Sequence, residues 1–118
     1  MHEDGKVDYI EWPGNDLPAT KAFYTSAFGW SFTDYGPTYT AFEGQGVDGG
    51  FTNDEAATKP LVIIYANDLE AMLAKVQAAG GRLTKPIFSF PGGRRFQFTD
   101  PSGNELAVWS EQPEPSQP

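Results

Sequence analysis

The sequence predicts an α+β fold assembled from two tandem β-α-β-β-β modules in a single domain, residues 1–118. Three observations predict it. The unit from Asn15 to Gly29 recurs, ungapped, from Asn67 to Gly81. Each copy follows a run of strand-forming residues, Val7 to Trp12 and Leu61 to Tyr65. Each is followed by three short apolar runs set apart by Gly, Pro and Asp.

The elements follow in chain order. Val7 to Trp12 is rich in branched and aromatic residues, and Pro13-Gly14-Asn15 ends it. Asp16 reads as an N-cap, Pro18 is tolerated in the first helical turn, and Leu17, Thr20, Tyr24 and Ala27 recur at helical spacing toward Gly29. Runs around Trp30 to Tyr35, Thr38 to Glu43 and Val47 to Thr52 read as an antiparallel meander, which puts module one at about 6–52. Residues 53–60 are polar, without a period, and serve as the linker. Module two, about 61–110, opens on the apolar run Leu61 to Tyr65. Asp68 then caps a helix whose Leu69, Met72, Leu73 and Val76 form one stripe before Gly80-Gly81. Strands are expected near Arg82 to Phe88, Arg94 to Thr99 and Asn104 to Trp109, the last two joined at Asp100-Pro101-Ser102-Gly103, where a type I turn favours Asp, Pro and Gly. The tail 111–118 alternates Pro with polar residues and is expected to be loose. At an offset of 52 residues, the step from Asn15 to Asn67, the matches include Asp16 with Asp68, Leu17 with Leu69 and Gly29 with Gly81. Caps and stops carry more information here than the matched alanines.

Composition excludes several classes of function. With 118 residues the chain can bury one core, and pairing with a second copy would help so small a domain, so a homodimer is expected. A formal charge of −8, from 16 acidic against 8 basic residues, opposes binding to nucleic acid and to anionic membrane surfaces. No apolar run approaches the length of a membrane span, and the start of the chain is too polar and acidic for a signal peptide; a cytoplasmic location is expected. The absence of cysteine removes disulfides, thiolate metal sites and cysteine nucleophiles.

The doubled β-α-β-β-β order, the phrase Ala22-Phe23-Tyr24 through Phe28-Gly29-Trp30 and the closing Asp100-Pro101-Ser102-Gly103-Asn104 together resemble the vicinal oxygen chelate superfamily, the group of glyoxalase I, bleomycin-resistance proteins and extradiol dioxygenases. The resemblance runs from Lys6 to Ser110. It implies a curved mixed sheet per module, helices on the outer faces and an inner cavity formed within the chain or across a dimer. In metal-dependent members the ligands are His, Gln or Glu on the first and last strands of each module, holding an open site that chelates two substrate oxygens. By the resemblance the first-strand positions fall on Tyr9 and Leu61, seven residues before Asp16 and Asp68. The last-strand positions fall on Ala107 and within Gly49 to Phe51. None is a usual ligand. The lone histidine, His2, lies in a polar terminal segment that this reading leaves out of the site.

If Tyr9 faces inward, strand alternation places Val7 and Glu11 with it, and likewise Leu61, Ile63 and Tyr65, then Glu105, Ala107 and Trp109. Ile10, Val62, Ile64, Leu106 and Val108 would lie under the helices. The inward set mixes Tyr, Trp and Glu with aliphatics, the makeup of a small-molecule pocket with a few polar anchors. The same rings would equally fill a dry core, with Glu11 and Glu105 in water at strand ends. Glu11 is the candidate general base or hydrogen-bond acceptor; its alternative role is an ion pair with Arg94 or Arg95. Consecutive arginines on a strand point to opposite faces, so one would reach the cavity to bind a carboxylate or phosphate while the other stays solvated. The expected ligand-binding residues are therefore Tyr9, Glu11, Tyr65, Arg95 and Trp109, with no metal and no cofactor. The expected function is metal-independent binding of a small organic molecule. The alternative is a lyase, isomerase or dioxygenase holding one divalent metal ion among Glu11, Glu43, Asp48 or Glu105.

Overall fold

A computed structural model describes residues 2–111. The expected tail therefore lies, from residue 112 onward, outside the described residues. The element order is β1 (Val7–Pro13), α1 (Leu17–Phe28), β2 (Thr33–Asp34), β3 (Tyr39–Phe42), β4 (Asp48–Thr52), β5 (Leu61–Tyr65), α2 (Leu69–Ala78), β6 (Arg82–Phe90), β7 (Gly93–Thr99) and β8 (Glu105–Ser110). The chain is α+β with the β-α-β-β-β order twice, as the sequence predicts. It divides into two compact units: Tyr9–Leu61, and residues 2–8 together with 62–111 among those described.

In the first unit β1 pairs in parallel with β4, and β4–β3–β2 is an antiparallel meander. Asp16 caps α1 by accepting from the Ala19 amide at 3.0 Å. Gly29 ends the helix with φ 76°, the left-handed conformation that a residue without Cβ adopts at little cost. Beneath α1, Leu17, Phe42 and Phe51 are buried, and Trp12, Tyr24, Trp30 and Phe32 pack against them as tilted and stacked rings. The expected strand at Trp30 to Tyr35 shrinks to Thr33–Asp34, because Trp30 and Phe32 turn into this ring cluster instead of extending a ladder. Asp34 is held there by Lys21 from α1 at 2.9 Å and by Thr40 at 2.8 Å, and the Lys21 bond keeps its carboxyl below the ordinary carboxylate range.

The second unit repeats the plan. Its strands run β5–β8–β7–β6, with β5 and β8 parallel and the rest antiparallel. Asp68 caps α2 through the Ala71 amide, again at 3.0 Å. Ala66, Leu69, Phe96 and Val108 form the buried cluster under α2, joined by Ile64, Met72, Leu73 and Val76, so the predicted helix stripe is the core stripe. Leu69, Phe96 and Val108, the fully buried large side chains of this cluster, each contribute roughly 1.5–3 kcal/mol by leaving water. β6 tolerates Pro86 because it lies at the edge of this group and pairs only with β7, with register shifts at Lys85. The β7–β8 turn forms as predicted. Asp100 accepts from the amides of Ser102 and Asn104 at 2.8 and 2.9 Å, and the Asn104 bonds lead in holding its carboxyl below the usual value.

Residues 2–8 join this second unit. The Gly5 amide donates to the Tyr65 carbonyl and the Tyr65 amide to the Lys6 carbonyl, so the start of the chain runs along β5. No helix among the described residues is long and apolar enough to cross a membrane.

Candidate functional site

The sheet face of the second unit that turns away from α2 carries a floor of rings. The β5–β8–β7–β6 registers align Tyr65 with Trp109, Trp109 with Arg95, and Arg95 with Phe88, so these four side chains share one face. The Arg95 guanidinium lies 5.3 Å from the Phe88 ring and 5.9 Å from Phe90, both within reach of a cation–π attraction. Its Nη2 donates to Gln97, which donates in turn to Glu105 at 3.1 Å; Thr84 also donates to Glu105, at 2.8 Å. Glu105 is thus engaged within its own sheet. Trp109 packs edge-on to Tyr65 at 5.2 Å and tilted to Phe90 at 6.1 Å. Three of the five predicted ligand-binding residues, Tyr65, Arg95 and Trp109, therefore meet.

The arginine pair divides as strand alternation requires, but its second member is not solvated. Arg94 points to the helix side, is 6% exposed, and forms a forked pair with Glu70 of α2 at 2.6 and 3.1 Å. That bond lowers the Glu70 pKa. Arg94 has this carboxylate partner because α2 presents Glu70 directly over β7.

His2 overturns its exclusion from the site. Its ring stacks on Tyr65 at 4.8 Å with an interplanar angle of 17° and meets Trp109 edge-on at 5.0 Å. Nδ1 lies 2.9 Å from Asp8 and Nε2 3.5 Å from Glu111. Asp8 also accepts from the Trp109 indole at 2.9 Å. The expectation that Val7 faces the interior is corrected as well: Val7 is exposed, and Asp8 makes the contact, because the start of β1 follows β5.

Tyr9 and Glu11 stand in the first unit. The β1–β4 register pairs Glu11 with Gly50, and Gly50 with Ala41 of β3. The Tyr9 hydroxyl is 2.5 Å from that of Tyr39, and Tyr39 is hydrogen-bonded to Glu11 as well. Gly50 makes room for the pair, since a Cβ there would overlap both hydroxyls. Burial is the largest influence raising the Tyr9 and Tyr39 pKa values, and the nearby Glu11 carboxylate adds to it in both. Both phenols therefore keep their protons at neutral pH.

The four positions at which the resemblance places metal ligands can now be read from register. At the offset of 52, Glu11–Gly50 in the first unit corresponds to Ile63–Ala107 in the second, which fixes the uncertain position as Gly50. Tyr9, Gly50, Leu61 and Ala107 do not supply a donor set for a divalent ion. Nor do three or more His, Asp or Glu side chains gather to hold a metal anywhere among the described residues. Asp48 accepts from the Gly44 amide, and Glu105 is bonded to Thr84 and Gln97.

Sequence reasoning missed His2, Asp8, Phe88, Phe90 and Tyr39. Phe88 and Phe90 had a signal: they alternate across Ser89 and share the Arg95 face across the turn at Pro91-Gly92. The others depend on pairing between distant segments.

The family model for the Glyoxalase/Bleomycin resistance protein/Dioxygenase superfamily matches residues 6–108. Putative glyoxylase CFP32 of Mycobacterium bovis is 27% identical over 92% of this chain and 46% of its own length. Anthracycline biosynthesis protein DauV of Streptomyces sp. strain C5 is 32% identical over 80% of this chain and 42% of its own. The chain thus spans less than half the length of these curated relatives. Among solved structures, the Mn(II)-bound glyoxalase of Novosphingobium aromaticivorans superposes with a TM-score of 0.69 at 22% identity, over 94% of this chain and 40% of that one. Methylmalonyl-CoA epimerase of Mycobacterium tuberculosis gives 0.66 at 16% identity, over 96% and 94%.

Proposed function

The chain belongs to the Glyoxalase/Bleomycin resistance protein/Dioxygenase superfamily, and from that premise we propose that it binds a small, planar organic molecule on the ring floor of its second unit without a metal ion. The observation that carries this reading is His2: a flat heterocycle already lies face to face on Tyr65 and edge-on to Trp109. A floor that takes an imidazole ring suits other flat rings, since stacked and edge-on contacts are tolerant of what the ring is. Arg95, whose guanidinium lies over the Phe88 ring, adds a positive charge to this floor that suits an electron-rich or anionic ring substituent. The name of DauV, which places that relative in anthracycline biosynthesis, favours a polycyclic aromatic ligand over a small dicarbonyl. The four positions Tyr9, Gly50, Leu61 and Ala107 support independence from metal. A homodimer belongs to this reading because a core of this size gains from pairing with a second copy.

Tag-free full-length protein titrated with an anthracycline in the presence of a chelator tests the reading through tryptophan quenching. Binding should persist in chelator, and Trp109→Ala and Tyr65→Ala should each weaken it at least about tenfold. A stoichiometric divalent ion, or binding that appears only when one is added, would overturn metal independence. Unchanged affinity in both variants would move the site elsewhere.

A further inference from the structure

We infer that one end of the ring floor, where Tyr65, Trp109, Asp8 and Glu111 surround His2, is a box for a planar nitrogen heterocycle bearing N–H donors. Imidazole is its simplest occupant, and His2 holds the place that an external ring takes. This names the ligand chemistry of the floor and rests on the proposed function for its location. All these residues belong to the second unit, and none stands at the positions of Tyr9, Gly50, Leu61 or Ala107.

The guest ring is recognised on a face and on its edges. Tyr65 lies against it nearly parallel, at 4.8 Å and 17°, and Trp109 closes one side edge-on at 5.0 Å and 85°. Asp8 Oδ1 is 2.9 Å from Nδ1; a carboxylate only accepts, so that nitrogen is the donor. Glu111 sets a second carboxylate oxygen 3.5 Å from Nε2, on the other nitrogen. Each carboxylate is aimed by a wall of the box. The second Asp8 oxygen accepts from the Trp109 indole at 2.9 Å, and Glu111 accepts from the Tyr65 hydroxyl at 3.5 Å. A flat ring without N–H would fill the walls yet leave the Asp8 oxygen facing it without a proton.

His2 is a displaceable occupant. Its side chain is 35% exposed, against 15% for Asp8. The chain behind it is tied to the sheet without its help. Asp4 accepts from the Asn67 amide at 2.8 Å, the Gly5 amide donates to the Tyr65 carbonyl at 2.8 Å, and the Tyr65 amide donates to the Lys6 carbonyl at 3.0 Å. The imidazole can leave while these bonds stay, and they keep it near the box at a high effective concentration. An external ring therefore competes with a tethered one, and removing the tethered imidazole opens the site.

The test titrates the full chain carrying His2→Ala, without a histidine tag, at neutral pH. The probes are imidazole and thiazole, a ring of like shape that has no N–H. The indole N–H resonance of Trp109 reports occupancy, because that group donates to Asp8. Imidazole should bind His2→Ala at least about tenfold more tightly than it binds wild type, and at least about tenfold more tightly than thiazole binds the same variant. Adding Asp8→Ala should bring the two rings to about equal affinity; should that variant not fold, the two ratios in His2→Ala decide alone. Equal imidazole affinity for wild type and His2→Ala, thiazole binding as tightly as imidazole, a preference that survives Asp8→Ala, or an unmoved Trp109 resonance would each overturn the assignment. An anthracycline that fails to bind while imidazole fills His2→Ala overturns the proposed function alone. Anthracycline bound through Tyr65 and Trp109, with no effect of His2→Ala on imidazole, overturns this inference alone.

Discussion

Under α1 the first unit packs Trp12, Tyr24, Trp30, Phe42 and Phe51 as rings in mutual contact, whereas under α2 the second packs Leu69, Met72, Val76 and Val108 around Phe96. One backbone plan thus accommodates two kinds of core. The aliphatic core is the drier: Leu69 and Phe96 are 0% exposed, while the aromatic group extends outward to Phe28, which is 63% exposed. Rings can share a load across many faces and still leave edges in water, but aliphatic side chains gain only by full burial. The polar bonds that tie helix to sheet differ in the same sense. In the first unit Lys21 meets an exposed Asp34, and in the second Arg94 is buried against Glu70.

The largest expected effect tests that difference directly. Phe96→Ala should cost about 3–5 kcal/mol in urea denaturation, and Phe28→Ala less than about 1 kcal/mol. Similar costs for the two would break the comparison. The helix caps should instead show the units to be alike. Asp16→Ala and Asp68→Ala remove the same 3.0 Å bond to the third residue beyond, and each should lower stability by about 1 kcal/mol. A clear inequality would mean that one helix depends on its cap far more than the other.

The smallest effect concerns pH. Arg94 holds the Glu70 carboxyl below its ordinary value of 4.5, so the pair stabilises the fold above that value. The contribution is lost as pH falls through the lowered pKa. Wild type should exceed Glu70→Gln by under about 1 kcal/mol at neutral pH, since Glu70 is half-exposed, and the margin should vanish as acidification carries the pH through the lowered pKa. A margin independent of pH would show that packing, not charge, is what Glu70 supplies.

Features set by local chemistry were legible in the sequence. Asp16 and Asp68 as caps, Gly29 as a stop, the Leu69–Met72–Leu73–Val76 stripe and the Asp100 turn each need only neighbours a few residues away. Tyr65, Trp109 and Arg95 were also legible as sharing a face, because strand alternation and the equivalence of the modules place them. His2 was not, since its place on Tyr65 depends on the start of the chain running beside β5, which no local pattern encodes. Tyr39 was hidden for a related reason: its partnership with Tyr9 depends on the registers of β1, β4 and β3 together. Arg94 was assigned to solvent because a helix was not expected to present a carboxylate to it.

Gly50 also limits how this chain could evolve. A mutation giving its β4 position a side chain, a metal-binding histidine or glutamate included, would drive that side chain into the Tyr9 and Tyr39 hydroxyls. The reverse order is passable: loss of the hydroxyls first opens the space that a later substitution needs. Sequence change at this point is therefore directional, with one order of mutations passing through a folded intermediate and the other through a clash. A laboratory lineage selected for metal binding should record losses at Tyr9 and Tyr39 before any change at Gly50.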